Sequence, residues 1–247
     1  MLNHLLRYEP VARQVEATSG RTLLEVGSGS RGISRYVSAR WELTACDVDF
    51  ADYAAPVVGP AGRTSRVEAS VLQMPFADDS FDIVVALDLL EHLAPQARPQ
   101  AFLQLRRVAR RCLIVGCPTG VAALRSDERL ARFYRRIGRP VPLWLEEHLR
   151  NGFPEVVTLT EHLSKDGELV LVANEALTAH ALVSRVEALP VLWRLTAVLA
   201  SALVAGLENP RWATAARRLV ALLRADDRLP AYRTIAILSI HPTDVPE

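Results

Sequence analysis

The sequence has almost no lysine and little net charge, and each shortage excludes a class of function. Lys165 is the only lysine among 29 basic residues, so arginine supplies nearly all the positive charge. The Gly-x-x-x-x-Gly-Lys-[Ser/Thr] phosphate loop is therefore absent. The Tyr-x-x-x-Lys pair of many short-chain dehydrogenases is also absent, because Glu161 stands four residues before Lys165. The formal net charge of +1 predicts no broad footprint for a nucleic acid.

Cysteine is also scarce, and the chain lacks an obvious targeting segment. Cys46, Cys112 and Cys117 are too few for a disulfide framework, and no Cys/His spacing resembles a zinc site. We therefore expect reduced thiols in a cytoplasmic protein. The amino terminus has no signal-peptide core. The longest apolar stretch, 190–207, is short for a bilayer and is interrupted by Arg194, so we expect no transmembrane span.

Along the sequence, apolar runs alternate with segments whose apolar residues have helical spacing. This pattern predicts an α/β fold, which we expect to form one domain over residues 1–247. The predicted strands are Thr22–Val26, Trp41–Cys46, Arg66–Ala69, Phe81–Leu87, Cys112–Gly116, Leu169–Ala173 and Arg233–Ile240. The fourth is continuously apolar, which is typical of a parallel strand buried on both faces. Apolar spacing over 4–18 predicts an amino-terminal helix that Pro10 kinks or restarts.

A glycine-rich turn follows the first predicted strand. Glu25 ends the apolar run, and residues 27–32 then match Gly-x-Gly-x-x-Gly before a helix that we expect to open at Ile33. This arrangement brings a nucleotide-like ligand against backbone N–H groups. Asp47 follows the second strand, where a carboxylate accepts hydrogen bonds from both ribose hydroxyls. Glu25 would repel a pyrophosphate, so a dinucleotide-dependent oxidoreductase is disfavoured.

Several segments together resemble the class I S-adenosylmethionine-dependent methyltransferases. The segments are Glu25 with Gly27-Ser28-Gly29, Asp47, Met74-Pro75-Phe76, Phe81-Asp82-Ile83-Val84 and Leu90-Glu91-His92-Leu93. The pattern is similar to the subgroup with Leu-Pro-Phe, Phe-Asp-x-Val and Leu-Glu-His motifs, and it covers about residues 20–118. The resemblance implies a Rossmann-like seven-stranded sheet with an antiparallel last strand, helices on both faces, and S-adenosyl-L-methionine as cofactor.

The resemblance also implies where that cofactor would bind. The implied residues are Glu25, Gly27, Ser28, Gly29, Asp47, Val48, Ser70, Val71 and Leu87. Glu25 would hold the cationic methionyl end and Asp47 the ribose. Relatives often have an acidic residue for the adenine amine where this chain has Ser70. The Ser70 hydroxyl or the Val71 backbone N–H would then make the adenine contact.

The implied reaction is in-line methyl transfer to a small-molecule acceptor, with O-methylation favoured. Such a reaction depends mainly on alignment and proximity, and an acceptor hydroxyl can also need a general base. The candidate bases are Asp88 and His92, which follow the fourth strand, and His148, on the segment after the fifth strand. Metal ligands are not predicted.

Two helical inserts extend the predicted fold. Residues 121–163, after the fifth strand, are expected to cap the substrate pocket. Residues 176–230, before the last strand, are divided by Pro190, Pro210 and Pro230. Residues 191–207 are apolar nearly all round, which predicts burial inside the domain or against a second copy, a lid over an apolar substrate, or contact with a membrane surface. A non-catalytic protein of this fold that uses the insert as an interaction surface is the alternative function.

Overall fold

A computed structural model describes residues 2–29, 32–50, 64–225 and 230–240, and a seven-stranded sheet forms its centre. The strands are β1 (Thr22–Val26), β2 (Glu42–Asp47), β3 (Thr64–Glu68), β4 (Phe81–Leu87), β5 (Ala109–Pro118), β6 (Gly167–Ala176) and β7 (Ala231–Ile240). Their order is β3-β2-β1-β4-β5-β7-β6, and β7 runs antiparallel to both of its neighbours. The predicted Rossmann-like sheet with an antiparallel last strand is confirmed.

Strand ends depend on pairing as well as on apolar runs. β1 and β4 have the predicted limits, whereas β3 begins at Thr64 because that residue pairs with Leu43 of β2. β5 extends to Pro118 because its pairing with β7 continues as far as Arg233. The sequence pattern alone did not show these pairings.

The predicted helices on both faces of the sheet are present. Among the described residues the α-helices are α1 (Leu2–Ala17), α2 (Arg98–Val108), α3 (Gly120–Arg136), α4 (Leu143–Asn151), α5 (Val156–Leu163), α6 (Leu177–Glu187), α7 (Pro190–Glu208) and α8 (Ala213–Arg224). Leu105 of α2 and Leu159 of α5 pack on one face, and Val11 and Val15 of α1 pack on the other. Each fully buried aliphatic side chain stabilises the fold by about 1.5–3 kcal/mol.

The chain after the glycine-rich turn differs from the prediction. Instead of an α-helix, one turn of 3-10 helix covers Ile33–Arg35 before β2 begins. The carboxylate of Glu16, in α1, accepts hydrogen bonds from the Ser38 backbone N–H at 2.6 Å and from the indole N–H of Trp41 at 3.2 Å. These contacts hold the chain close to α1, and Ile33 and Trp41 lie in the same buried cluster as Val15 of α1.

The amino-terminal helix is continuous, contrary to the expected break at Pro10. α1 runs from Leu2 to Ala17 with Pro10 in its interior. Proline removes one backbone hydrogen bond there. Buried Leu5, Leu6 and Val11 hold the helix on both sides of that position.

Residues 176–230 form the predicted helical pieces, and they pack on α1. Leu203 of α7 and Val220 of α8 join Leu2 and Leu5 in one buried cluster. Burial inside the domain, however, covers only part of α7. Five large apolar side chains of α7 are exposed, namely Val191, Trp193, Leu195, Val198 and Leu199. Residues 51–63, expected to be a loop with at most a short helix, and the expected polar tail after 240 lie outside the described residues.

Length and composition alone would let α7 cross a membrane. Its apolar window has a mean hydropathy of 1.7, and 22% of it is buried in the domain. The expectation that no span exists is therefore not confirmed. The buried side of α7, with Thr196, Ala200 and Leu203, packs within the described part of the chain.

Asp82 anchors the amino end of β4, opposite the edge of the sheet where the glycine-rich turn lies. The side chain is buried, and it accepts hydrogen bonds from the backbone N–H of Arg21 at 2.8 Å and from Arg110 at 2.7 Å. Thr22 and Arg111 donate to the same carboxylate. These donors outweigh the effect of burial and hold the pKa of Asp82 well below its ordinary value.

We predict that Asp82→Asn destabilises the fold by about 2 kcal/mol, because it removes charge-assisted hydrogen bonds from a buried position. The loss should be present above about pH 4 and should shrink as the pH falls, since the wild-type carboxylate then becomes protonated in the unfolded chain. Urea unfolding of both proteins across that range measures it. Asp78→Asn, at a side chain 74% exposed, is the control and should change little. An equal loss at all pH values would contradict the prediction.

Candidate functional site

The glycine-rich turn crosses the carboxyl end of β1 in a conformation that requires glycine. Gly27 has φ of 73°, and a Cβ there would stand 3.0 Å from the Leu89 side chain. Gly32 has φ of 37°, and a Cβ there would overlap the Glu25 carboxylate. L-residues rarely adopt such φ values. The turn therefore lies close both to the end of β4 and to the acid that precedes it.

Glu25 is buried beneath this turn. Both of its carboxylate oxygens accept from the Ile33 backbone N–H, at 2.8 and 2.9 Å. Burial outweighs these bonds and raises the pKa of Glu25 to about 7. Tyr8, for which packing was the favoured expectation, is buried as well. The role of Glu25 toward a cofactor stays a prediction.

Asp47 closes the other side of the turn from the end of β2. One carboxylate oxygen accepts from the Gly29 backbone N–H at 2.8 Å, and the other accepts from the Val48 N–H at 2.7 Å. Each oxygen has a second lone pair. Asp47 therefore fixes the turn and still has acceptor capacity for a ligand. The Val48 side chain beside it is 70% exposed.

The remaining predicted cofactor residues differ in exposure. Ser70 is exposed, and its hydroxyl accepts from the Leu72 backbone N–H at 3.2 Å in a tight turn. The side chains of Val71 and Leu87 are buried in the core. Ser28 is buried within the glycine-rich turn, with its hydroxyl 3.4 Å from the Gly29 carbonyl. Their contacts with a cofactor stay predictions.

Asp88, a predicted base, belongs to a buried ion-pair network. Arg233 of β7 donates to both carboxylate oxygens, at 2.6 and 2.8 Å, and Arg7 of α1 donates to one at 2.5 Å. These two guanidinium groups overcome the effect of burial and hold the pKa of Asp88 far below its ordinary value. A carboxylate that is held so strongly in its charged form is a poor proton acceptor. The geometry therefore disfavours Asp88 as a general base.

The other two predicted bases, His92 and His148, lie together. Their ring centroids are 5.0 Å apart, although 55 residues of chain separate them. His92 is partly exposed and its Nδ1 lies 2.6 Å from a Glu147 oxygen, while His148 is buried and its Nδ1 lies 2.7 Å from an Asp127 oxygen. Burial lowers the pKa of His92 in spite of Glu147. Their catalytic role stays untested.

Glu91 lies between these histidines and is fully buried. Its carboxylate oxygens receive no hydrogen bond from any other described residue, and His148 Nε2 lies 4.0 Å from one of them. Burial, followed by the negative charge of Asp88, raises the pKa of Glu91 well above its ordinary value. An unpaired buried carboxylate is costly, so its position calls for an explanation.

Backbone contacts fix the turn that carries Glu91 and His92. This turn is one 3-10 turn, Leu90–His92, after β4. Arg98 donates to the Leu90 carbonyl at 3.0 Å and to the Asn151 carbonyl at 3.0 Å. Asn151 in turn donates to the His92 carbonyl at 2.9 Å. The end of α4, which carries His148, is thereby tied to the turn.

Sequence reasoning missed several residues of this region. These are Arg7, Asp127, Glu147, Tyr232 and Arg233. Arg233 had a recognisable signal, because a charge at the start of an apolar strand needs a buried partner. Asp127 and Tyr232 gave no signal, since they meet only when α3, α4 and β7 come together.

Glu25 should make stability depend on pH near neutrality. Its pKa in the folded chain, about 7, exceeds the ordinary value of 4.5. The folded chain therefore binds the Glu25 proton more tightly than the unfolded chain does. The resulting stabilisation of wild type is complete below pH 4.5 and is lost as the pH rises toward 7. Relative to Glu25→Gln, wild type should lose about 1.4 kcal/mol per pH unit in that window. Denaturant unfolding of both proteins at pH 5–8 measures the difference, and a difference that stays flat or rises with pH would contradict the assignment.

Comparison with known proteins identifies the fold in which this site lies. Residues 24–112 match the family described as "Methyltransferase domain". The methyltransferase domain of bacterial CtHen1 is similar over 97% of this chain and 99% of that one, with 12% identity and a TM-score of 0.58. The plantazolicin methyltransferase BpumL, solved with SAH (S-adenosylhomocysteine), is similar over 97% and 85%, with 8% identity and a TM-score of 0.55.

The magnesium protoporphyrin IX methyltransferase of Synechocystis PCC 6803, also solved with SAH, is similar over 69% of this chain and 77% of that one. Its identity is 14% and its TM-score is 0.51. Likenesses at such low identity show a shared fold. The chain therefore has the Rossmann-like fold of S-adenosylmethionine-dependent methyltransferases and contains the match to their domain family within it.

Proposed function

We propose that this protein is an S-adenosylmethionine-dependent methyltransferase that acts on a small-molecule acceptor, with an acceptor oxygen as the favoured target. The observation that carries the proposal is the pair of carboxylates, Glu25 and Asp47, on either side of the glycine-rich turn. The methyltransferase-domain match over 24–112 supports it. We further propose one cytoplasmic domain over residues 1–247.

The residues of the turn suit this cofactor in charge and shape. S-adenosylmethionine carries a sulfonium and an ammonium group and no phosphate, so acidic neighbours favour it over a dinucleotide. Asp47 would receive the ribose hydroxyls through its remaining lone pairs. Glu25 would favour the cationic methionyl end, directly or by its field. When bound, the cofactor supplies a methyl group that its positive sulfur already makes electrophilic.

Toward the acceptor, this chain would act mainly by positioning that molecule and less by transferring a proton. The turn Leu90–His92 and α4 bring His92 and His148 to one place, and the Arg98 and Asn151 contacts hold them there. We propose that residues 121–163, which contain α3, α4 and α5, cap the acceptor. Fixed geometry of this kind lowers the barrier through proximity and alignment.

Ligand binding tests the proposal directly. Calorimetry should show that the full chain binds S-adenosylmethionine and SAH but not NAD. Asp47→Ala should lower the affinity for SAH by roughly 100-fold or more, the equivalent of two hydrogen bonds to a charged group. Glu42→Ala, at an exposed acid on the amino end of the same strand, is the control and should bind normally. Failure of wild type to bind either sulfur ligand would refute the proposed function.

The exposed outer face of α7 supports a further contact, which we propose is with a second copy of the chain. Leu195 and Val198 are 62% and 69% exposed on an otherwise apolar helix. Contiguous apolar surface of this kind is typical of an interface. Sedimentation should show a dimer that Leu195→Asp with Val198→Asp converts to monomer, while Glu208→Ala on the same helix leaves it intact. A monomeric wild type would contradict this contact.

A further inference from the structure

Three side chains with metal-binding atoms converge after β4. Glu91 and His92 come from the turn Leu90–His92, and His148 comes from α4. One carboxylate oxygen and one nitrogen from each ring all lie within 4.8 Å of one another. Two imidazoles and a carboxylate on one side of a centre are a ligand set that divalent transition metals adopt in proteins.

Each of the two histidine rings has a carboxylate partner that orients it for metal binding. His148 Nδ1 lies 2.7 Å from an Asp127 oxygen, and His92 Nδ1 lies 2.6 Å from a Glu147 oxygen. A carboxylate only accepts, so each Nδ1 carries a proton, and in the neutral form of each ring the free lone pair is on Nε2. Metal-bound histidines almost always have such a partner on the other nitrogen. The Tyr232 hydroxyl holds Asp127 in place at 3.0 Å.

The Glu91 carboxylate supplies an independent observation. It is 0% exposed, and neither oxygen receives a hydrogen bond from another described residue. The turn around it is nevertheless rigid, because Arg98 and Asn151 bind its backbone carbonyls rather than its side chain. A buried, charged carboxylate without a partner is destabilising, and either a proton or a bound cation relieves that cost.

We propose that Glu91, His92 and His148 bind one divalent transition-metal ion, such as Mn²⁺, Co²⁺ or Zn²⁺. The nitrogen ligands favour these ions over Mg²⁺ and Ca²⁺, which prefer oxygen. Asp127 and Glu147 are positioning residues that orient the two rings. The site uses residues of the turn after β4 and of α4, outside the glycine-rich turn.

Three protein ligands leave coordination positions open for another molecule, as in catalytic metal sites. An acceptor with an oxygen ligand would occupy one of them, an extension that rests on the proposed function. The ion would then lower the pKa of an acceptor hydroxyl by its charge. In that case His92 and His148 would act by holding the ion, and neither would serve as a free general base.

Metal titration of the full chain tests the site without any methyl-transfer assay. After chelator treatment and dialysis, wild type should bind about one Co²⁺ per chain, with visible ligand-field absorption of the ion, and Mn²⁺ should compete. His92→Gln should lower the Co²⁺ affinity ~10-fold or more. Because His92 is partly exposed, this variant should fold. Glu91→Gln keeps the side-chain shape and should weaken binding at least as much.

Matched controls separate ligation from a structural role. His162→Gln removes a histidine that stacks on Phe102, outside the cluster, and should bind Co²⁺ as wild type does. Asp127→Asn should weaken binding through His148. If wild type binds Co²⁺ no more tightly than His92→Gln, or if His162→Gln weakens binding equally, the site is refuted and the cluster is only a buried hydrogen-bond network.

The two proposals fail in different experiments. SAH calorimetry on Glu91→Gln should give wild-type affinity, because Glu91 lies outside the glycine-rich turn. Loss of Co²⁺ binding with intact SAH binding in that variant is the expected result. Absence of Co²⁺ binding by wild type with intact SAH binding would overturn only the metal site.

Discussion

The ion-pair network around Asp88 is the constraint on which the site depends. Asp88 has a left-handed φ of 48°, and its backbone N–H donates to the Gly116 carbonyl at 2.7 Å. Its carboxylate joins Arg233 of β7 to Arg7 of α1. Removing one member of a buried ion pair typically costs about 3–5 kcal/mol, because the remaining charge is left uncompensated. The network therefore fixes the direction in which the chain leaves β4.

The candidate site residues that follow Asp88 lie just beyond this point in the chain. Glu91 and His92 come within one turn, and α4 brings His148 onto them. Asp88 and Glu91 are close in sequence, but their pKa values are shifted in opposite directions. Two guanidinium groups lower the pKa of Asp88, whereas Glu91 lacks such partners and its pKa is raised. The proposed cation rests on geometry, because the Glu91 oxygens have no hydrogen-bond partner among the described residues and lie beside two histidine rings.

The amino-terminal helix α1 connects the helical insert to the site. Its Leu2 and Leu5 pack with α7 and α8, while its Tyr8 and Arg7 reach Glu25 and Asp88. A contact made by the exposed face of α7 would therefore act on a helix whose side chains lie beside Glu25 and Asp88.

The sequence by itself determined the sheet, the glycine-rich turn and the acids at the strand ends, because apolar period, glycine and strand-end position are local properties. It also predicted His92 and His148 as candidate bases, and the structure brings their rings to within 5.0 Å of one another. Only the tertiary structure decided that Asp88 is held between two arginines and that the buried Glu91 carboxylate has no hydrogen-bond partner in the described part of the chain. Those facts depend on Arg7 and Arg233, which lie 226 positions apart in the sequence and meet only in the folded chain. Local pattern carries no information about such distant pairs, and the charge state of a buried group depends on them.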